Sequence, residues 1–124
     1  MSPVRLLPWV AHEAVEYVAG VFFVVAPFIF GFQADPASSV FVGVGVVILA
    51  VAILSKGPAG VLGVIPSTVH ATLDYVLGFF LLLAPSVFRF SAVTPARTIS
   101  ILLGVAHLVI TLVTRFPKPD AEAA

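Results

Sequence analysis

The sequence predicts an all-α membrane protein in which four transmembrane helices form two tandem helical hairpins, related by a pseudo-twofold axis along the membrane normal. Three observations predict this fold: the composition, four apolar segments and an internal repeat. Of the 124 residues, 60% are hydrophobic and 10% are charged, and the mean hydropathy is +1.18. Soluble domains carry about 25% charged residues. Because this chain has too few polar side chains to cover a fold in water, we expect lipid to cover it.

The four apolar segments are judged against the thickness of a membrane. About 20 helical residues cross a hydrocarbon core about 30 Å thick. The second segment is short, and it needs residues 36–39 or Lys56 at the interfaces to complete a crossing. We still predict a span there, because it contains no charge and the repeat gives it a counterpart. The segments comprise residues 10–32, 40–54, 69–88 and 99–114.

The internal repeat appears when residues 8–32 are laid on residues 66–90 with an offset of 58 (66 − 8). Apolar segments resemble one another by composition alone, but histidine, proline, tyrosine and an acid in register indicate duplication. Beyond the first helix the offset becomes 59 (95 − 36), as one inserted residue in the second loop would give. The matching pairs include Pro8/Pro66, His12/His70, Glu16/Asp74, Tyr17/Tyr75, Gly20/Gly78, Pro27/Pro85, Pro36/Pro95 and Gly45/Gly104.

The repeat defines the organisation of one transmembrane domain over residues 1–124. Because each unit has two spans, both copies cross the membrane in the same direction. We therefore expect the first helices of the two units to face each other across the pseudo-twofold axis. The predicted parts are repeat 1 at 8–55, a linker at 56–65, repeat 2 at 66–116 and a flexible tail at 117–124.

Prolines and glycines mark the first helix of each repeat. Pro8 and Pro66 suit the first helical turn, where a missing N–H costs nothing, and Ser67 is also able to cap. Pro27 and Pro85 are expected to kink or end the helix near the opposite interface. The remaining pair, Gly20 and Gly78, is expected at helix contacts, because glycine lets helix backbones approach closely in membranes.

Basic residues predict the orientation of the chain. Loops with more Lys and Arg stay on the cytoplasmic side, and here the excess lies on the side of both termini. The match of the first segment to an internal helix argues against a cleaved signal peptide. Arg5, Lys56, Arg115 and Lys118 lie on the predicted cytoplasmic side, against Arg89 and Arg97 on the other.

Composition and motifs restrict the function. The formal net charge is zero, so the chain lacks the basic surface that nucleic-acid binding requires. With no cysteine, disulfides, thiolate metal sites and cysteine nucleophiles are excluded. The sequence has no G-x-S-x-G, H-E-x-x-H, Walker loop or dinucleotide fingerprint. We therefore expect neither enzyme activity nor a nucleic-acid partner.

The most informative polar residues are His12, Glu16, His70 and Asp74. In each repeat the acid follows the histidine by four residues, so both side chains lie on one face of the helix. A carboxylate centred in lipid costs about 2.5–3.5 kcal/mol on insertion scales. The two acids should therefore turn inward, with the histidines as partners.

Three interpretations of these four residues remain open. The favoured one is a polar clasp that fixes helix packing near the cytoplasmic headgroups, where water still reaches, without metal or cofactor. The second is a metal or haem site, since two histidines and two carboxylates on facing helices could supply four ligands. The third is a proton or ion path in which the His–acid pairs titrate.

His107, Tyr17 and Tyr75 complete the candidate intramembrane site. His107 lies near the middle of the fourth span, and Ile48 occupies its place in the first repeat. A lone intramembrane histidine is a functional candidate, but we expect its imidazole to bond a carbonyl group or one of the two tyrosines.

Two further side chains near the first helix start are expected to face the interface. Trp9 is interpreted as an interface anchor, because its ring suits the headgroup level. Glu13 has no acidic counterpart, since Ala71 occupies that position. We therefore expect Glu13 on a solvated face.

The repeat resembles the SPW-repeat family of small bacterial integral membrane proteins over most of residues 8–116. In that family a helix with a glycine is followed by Ser-Pro-Trp or a similar tripeptide, an aromatic-glycine-aromatic step and a second helix. Alanine stands in place of serine in both copies, and Phe28 or Ser86 in place of tryptophan. The matching residues are Gly20, Ala26-Pro27-Phe28 and Phe30-Gly31-Phe32, then Gly78, Ala84-Pro85-Ser86 and Phe88-Arg89-Phe90.

The resemblance implies a four-span bundle and no established activity. We expect a non-enzymatic structural or accessory subunit in a bacterial cytoplasmic membrane, without a cofactor. Its expected partners are the lipid bilayer and either a second copy of the chain or another membrane protein. The alternative is an ion, proton or solute transporter, or a metal- or haem-binding protein, that uses the paired His–carboxylate residues.

Overall fold

The computed structural model describes residues 5–117, and within them it has four long helices. Each is long and apolar enough to cross a membrane, which confirms the predicted fold class. The doubtful second span is a helix of 18 residues that begins directly after Pro36, so residues 37–39 do complete it. The helices are α1 (Trp9–Ile29), α2 (Ala37–Leu54), α3 (Ser67–Val87) and α4 (Thr94–Val113).

Prolines set both ends of α1 and α3. Pro8 and Pro66 are the N-cap residues, with extended backbone conformations. Pro27 and Pro85 lie in the last turn, and each helix ends two residues later. The prolines therefore end the helices, as helix-incompatible residues should. The expected cap by Ser67 is wrong, because its hydroxyl instead donates to the carbonyl of Pro117 at 2.9 Å.

Glycines let the helices of each hairpin pack closely. A Cβ atom added to Gly45 of α2 would lie 2.6 Å from the carbonyl oxygen of Gly20 of α1. At the equivalent place in the second hairpin, a Cβ atom on Gly104 would lie 3.1 Å from the carbonyl oxygen of Gly78. Backbone-to-backbone approach of this kind is how membrane helices commonly associate. Gly20 and Gly78 thus lie at the contact inside each hairpin.

Short backbone pairings tie the hairpins together at the end of the bundle that carries the termini. Strand β1 (Leu7–Pro8) pairs in parallel with strand β2 (Thr114–Arg115), which directly follows α4. At the equivalent place, Ser55 after α2 forms a parallel bridge with Ile65 before α3. Each hairpin therefore joins its entry to the exit of the other, as the pseudo-twofold axis requires.

Aromatic side chains fill the bundle at the opposite end. Phe41 of α2 packs against Phe23 of α1, with ring centroids 5.3 Å apart, and against Phe32 and Phe90 of the two loops at 5.0 and 6.2 Å. These four phenylalanines are buried. The apolar core therefore lies away from the predicted cytoplasmic end, which leaves that end for polar side chains.

The predicted linker and tail are described only in part. Residues 56–65 run between α2 and α3, and the Lys56 N–H donates to the carbonyl of Ile65 at 2.8 Å. Of the tail predicted at 117–124, the structure describes Pro117 alone. Lys118, which contributes to the predicted orientation, lies outside the described residues.

Candidate functional site

Helices α1 and α3 bring four of the predicted residues together on the pseudo-twofold axis. His12 and Glu16 project from successive turns of α1, and His70 and Asp74 from successive turns of α3. The imidazole rings of His12 and His70 meet edge to face, with centroids 5.6 Å apart. Each of the four residues is at most 3% exposed. The expectation that water reaches them is therefore wrong.

Every imidazole in this group approaches both carboxylates. His12 Nε2 lies 3.1 Å from Glu16 Oε1 and 2.9 Å from Asp74 Oδ2. His70 Nε2 lies 3.3 Å from Glu16 Oε2 and 3.2 Å from Asp74 Oδ2. The contacts within one helix and those across the axis are thus equally short. The four residues form one site shared by both repeats.

Two hydroxyl groups fix the orientation of the rings. Thr114 Oγ1 donates to the carbonyl of Ile110, and Ser55 Oγ donates to the carbonyl of Val51. Because each hydroxyl proton is already donated, the two hydroxyl oxygens accept hydrogen bonds from the imidazoles. Thr114 Oγ1 accepts from His12 Nδ1–H at 2.7 Å, and Ser55 Oγ accepts from His70 Nδ1–H at 2.6 Å. Nδ1 is therefore the protonated nitrogen in both rings. Each Nε2 faces the carboxylates with either a lone pair or a second proton.

These hydroxyls were missed from the sequence, although the repeat carries a signal for them. Ser55 and Thr114 occupy equivalent positions under the offset of 59 (114 − 55), just after the second helix of each repeat. His12 of repeat 1 bonds Thr114 of repeat 2, and His70 of repeat 2 bonds Ser55 of repeat 1. A search for polar pairs at both offsets would have found them.

His107 joins the site from α4. Its Nε2 lies 3.3 Å from Asp74 Oδ1 and 3.8 Å from Glu16 Oε1. The expected carbonyl or tyrosine partner of its imidazole is therefore wrong, since the partner is a carboxylate. Hereafter, the polar cluster means His12, Glu16, His70, Asp74 and His107.

The two predicted tyrosines lie outside the polar cluster. Tyr17 donates its hydroxyl to the carbonyl of Ala59 in the linker, at 2.8 Å. Tyr75 occupies the equivalent position on α3. The counterpart of Ala59 under the offset of 59 is position 118 (59 + 59), which falls outside the described residues. Within residues 5–117, neither tyrosine hydroxyl bonds a side chain of the polar cluster.

Trp9 and Phe116 cover the cluster on the side of the termini. The Trp9 ring lies 5.4 Å from the ring of His12 and 4.9 Å from that of His70. Phe116 packs against Trp9 at 5.1 Å and against His12 at 5.2 Å. Trp9 is therefore buried in the protein, and its interpretation as an interface anchor is wrong. The two rings separate the imidazoles from water.

Glu13 is also buried, contrary to the expected solvated face. It is 2% exposed, and its Oε2 accepts the backbone N–H of Ala59 at 3.2 Å. The linker folds back over α1 at Gly57, where φ is 150° and a Cβ atom would lie 2.5 Å from Glu13 Oε2. The position of the linker could not be inferred from helix periodicity, so the burial of Glu13 was missed.

A groove between α2 and α3 reaches the carboxylates of the cluster. It has a volume of about 760 Å³, and Glu16 and Asp74 are its only charged lining residues among those described. Gly43 lines it on α2, and a Cβ atom there would meet open space. Exposed Val47 and Val76 flank it, so the groove faces the bilayer. Apart from Ser39 near the start of α2, its wall is apolar from the cluster to Phe88.

The geometry of the cluster discriminates between ligands. Two imidazoles in edge-to-face contact, each within 3.3 Å of both carboxylates, leave no flat slot for a porphyrin between them. Bis-histidine haem ligation does not fit. One ligand atom from each of His12, Glu16, His70 and Asp74 lies within 4.8 Å of the others, which is the spacing of donors around a single metal ion.

Fold and site together define a multi-pass membrane protein of two hairpin repeats that share one buried polar cluster. The family model of the SPW repeat domain matches residues 8–114, which include both repeats. The chain belongs to the SPW repeat domain family, and the resemblance found in the sequence is confirmed. No curated protein and no solved structure matches the chain.

Proposed function

We propose that this chain is a non-enzymatic structural or accessory subunit of the bacterial cytoplasmic membrane, in which the polar cluster joins the two hairpins. The observation that carries the proposal is the exchange of hydrogen bonds between repeats. His12 bonds Thr114 and Asp74 of the second repeat, and His70 bonds Ser55 of the first. In lipid, apolar burial contributes little to helix association, and interhelical hydrogen bonds and close packing contribute most.

The distribution of the chain also supports a role without catalysis. The described residues outside the helices are short connections, at 30–36, 55–66 and 88–93, and the ends of the chain. The polar cluster is closed by Trp9 and Phe116 on the side of the termini. A substrate from water would have to displace this cover, whereas a structural cluster benefits from it because burial strengthens each polar contact.

The groove is the one observation that favours a transporter instead. It reaches Glu16 and Asp74, which an ion path would need. However, the lining along α2 from Val40 to Val51 and along α3 from Val76 to Phe80 is apolar. An ion crossing the bilayer requires polar groups along its route, so the groove supports a structural cluster better than a path.

The test compares the double variant His12→Ala/His70→Ala with the control Val18→Ala/Val76→Ala, two exposed positions on the same helices. Thermal unfolding in detergent should begin at clearly lower temperature for the histidine variant, because it leaves His107 as the only imidazole of the polar cluster beside two buried carboxylates. The control should unfold like the wild type. A histidine variant as stable as the wild type would rule out the proposed clasp. Ion flux into proteoliposomes that the histidine variant abolishes would support the transporter.

A further inference from the structure

We propose that the polar cluster is a binding site for one divalent transition-metal ion, with His12 Nε2, His70 Nε2, Glu16 and Asp74 as ligands. Zn²⁺ is the ion that fits this donor set best. The inference rests on the proposed function, because it names the ligand that would hold the clasp together. Four protein ligands without an open position are typical of structural zinc sites.

The contacts between imidazoles and carboxylates are close to the donor distances of a tetrahedral site, and one donor atom from each of the four residues lies within 4.8 Å of the others. With metal–ligand bonds of about 2.0 Å, the donors of a tetrahedron are about 3.3 Å apart. The four contacts between an imidazole Nε2 and a carboxylate oxygen are 3.1, 2.9, 3.3 and 3.2 Å. Small outward movements of the side chains would therefore admit the ion without rearrangement of α1 or α3.

The surrounding hydrogen bonds orient the ligands as in known metal sites. A metal-bound histidine usually donates its other ring N–H to an oxygen. Here His12 Nδ1–H donates to Thr114 and His70 Nδ1–H donates to Ser55, which leaves both Nε2 atoms for the ion. His107 Nε2 contacts Asp74 Oδ1 at 3.3 Å, on the carboxylate oxygen that does not face the other two imidazoles.

A buried, unpartnered nitrogen supports the role of His70 as a metal ligand. Within residues 5–117, His70 Nε2 is buried and makes no hydrogen bond. It lies 3.2 and 3.3 Å from Asp74 and Glu16, but it is not directed at either in hydrogen-bonding geometry. Buried polar atoms without a partner are rare and call for an explanation. A metal ion between the four donors would satisfy His70 Nε2.

Charge balance favours a divalent ion. Two buried carboxylates need compensation by positive charge. A divalent cation with two neutral imidazoles and two carboxylates gives a site without net charge. Neutral Nε2 is also the form in which histidine binds metals. A monovalent ion would leave one negative charge uncompensated.

The experiment uses the full chain in detergent, stripped with EDTA and titrated with Zn²⁺. Trp9 is the only tryptophan, and its ring packs against both histidine ligands, so its fluorescence reports binding directly. Metal content after gel filtration gives the stoichiometry. The variants are Glu16→Gln and its matched control Glu13→Gln, since both glutamates are buried on α1 but only Glu16 is a proposed ligand.

We expect one Zn²⁺ per wild-type chain and a higher melting temperature with Zn²⁺ than with EDTA. Glu16→Gln should bind at least about tenfold more weakly, and Glu13→Gln should bind within about threefold of the wild type. Four-coordinate Co²⁺ in place of Zn²⁺ should give the wild type a strong visible absorption. This spectrum tests the site even if a variant does not fold.

Wild-type protein that binds neither Zn²⁺ nor four-coordinate Co²⁺ would overturn the metal site. Equal binding by Glu16→Gln and Glu13→Gln would do the same, because Glu16 would not be a ligand. If, in addition, His12→Ala/His70→Ala unfolds at lower temperature with EDTA present, the clasp stands without metal. If that variant is as stable as the wild type in EDTA, the structural role of the polar cluster is contradicted independently of the metal result.

Discussion

His12 of the first repeat donates a hydrogen bond of 2.7 Å to Thr114 of the second. The same bond recurs across the pseudo-twofold axis between His70 and Ser55, at 2.6 Å. Each histidine is therefore held by the hydroxyl of the opposite hairpin, and its Nε2 lies within 3.3 Å of both shared carboxylates. This exchange links the two similar hairpins by hydrogen bonds.

Removal of Thr114 Oγ1 should destabilise the protein, because the buried N–H of His12 would lose its acceptor. We expect Thr114→Ala to lower the free energy of unfolding by about 0.5–2 kcal/mol. The matched control is Thr72→Ala, whose exposed hydroxyl bonds its own helix at Thr68 and should change stability by at most about 0.5 kcal/mol. Equal effects in a detergent unfolding titration would contradict the role of Thr114.

The close contact inside the first hairpin predicts opposite effects at two glycines of α2. Gly45→Ala places a Cβ atom 2.6 Å from the Gly20 carbonyl and should destabilise by about 1–3 kcal/mol. Gly43→Ala places its Cβ atom in open space and should be neutral or stabilise by up to about 1 kcal/mol, because alanine favours helix. Thermal unfolding of both variants checks this, and a neutral Gly45→Ala would contradict the packing described.

Asymmetry between the repeats predicts a specific role for His107. Ile48 occupies the position in the first repeat that is equivalent to His107, and its side chain is buried in the core. His107→Ile should therefore fold, as judged by gel filtration and circular dichroism. It removes the contact with Asp74, so Zn²⁺ affinity should fall about tenfold, as for other changes next to metal ligands. Unchanged affinity would show that His107 does not orient Asp74.

The distribution of basic residues predicts that both termini are cytoplasmic. A green fluorescent protein fused to the C-terminus should fluoresce, and an alkaline phosphatase fused there should be inactive. A phosphatase inserted in the loop near Arg89, predicted to be external, should be active. The reverse pattern would contradict the predicted orientation.

Hydropathy and the repeat predicted the class of protein and its four spans, because the bilayer requires long apolar helices regardless of tertiary detail. The repeat also singled out His12, Glu16, His70 and Asp74 from sequence alone. Other members of the site depend on tertiary contacts. His107 contacts Asp74 only because α4 packs against α3. Neither the spacing of the residues nor the composition predicts that contact.

The burial of Trp9 and Glu13 likewise could not be predicted from the sequence. Their chemistry and their place at the helix start predict an interfacial position for both. The linker then folds over them at Gly57, and Phe116 closes the other side of Trp9. Burial by a loop leaves no periodic pattern in the sequence, so only the three-dimensional structure reveals it.

The most direct test of the central claim measures the distance between the hairpins. The chain contains no cysteine, so spin labels can be attached to Val18→Cys and Val76→Cys, equivalent exposed positions on α1 and α3. Pulsed electron paramagnetic resonance should give one narrow distance distribution in the otherwise wild-type chain. With His12→Ala/His70→Ala added, we expect a broad distribution shifted to longer distances. An unchanged, narrow distribution would show that the polar cluster does not hold the hairpins together.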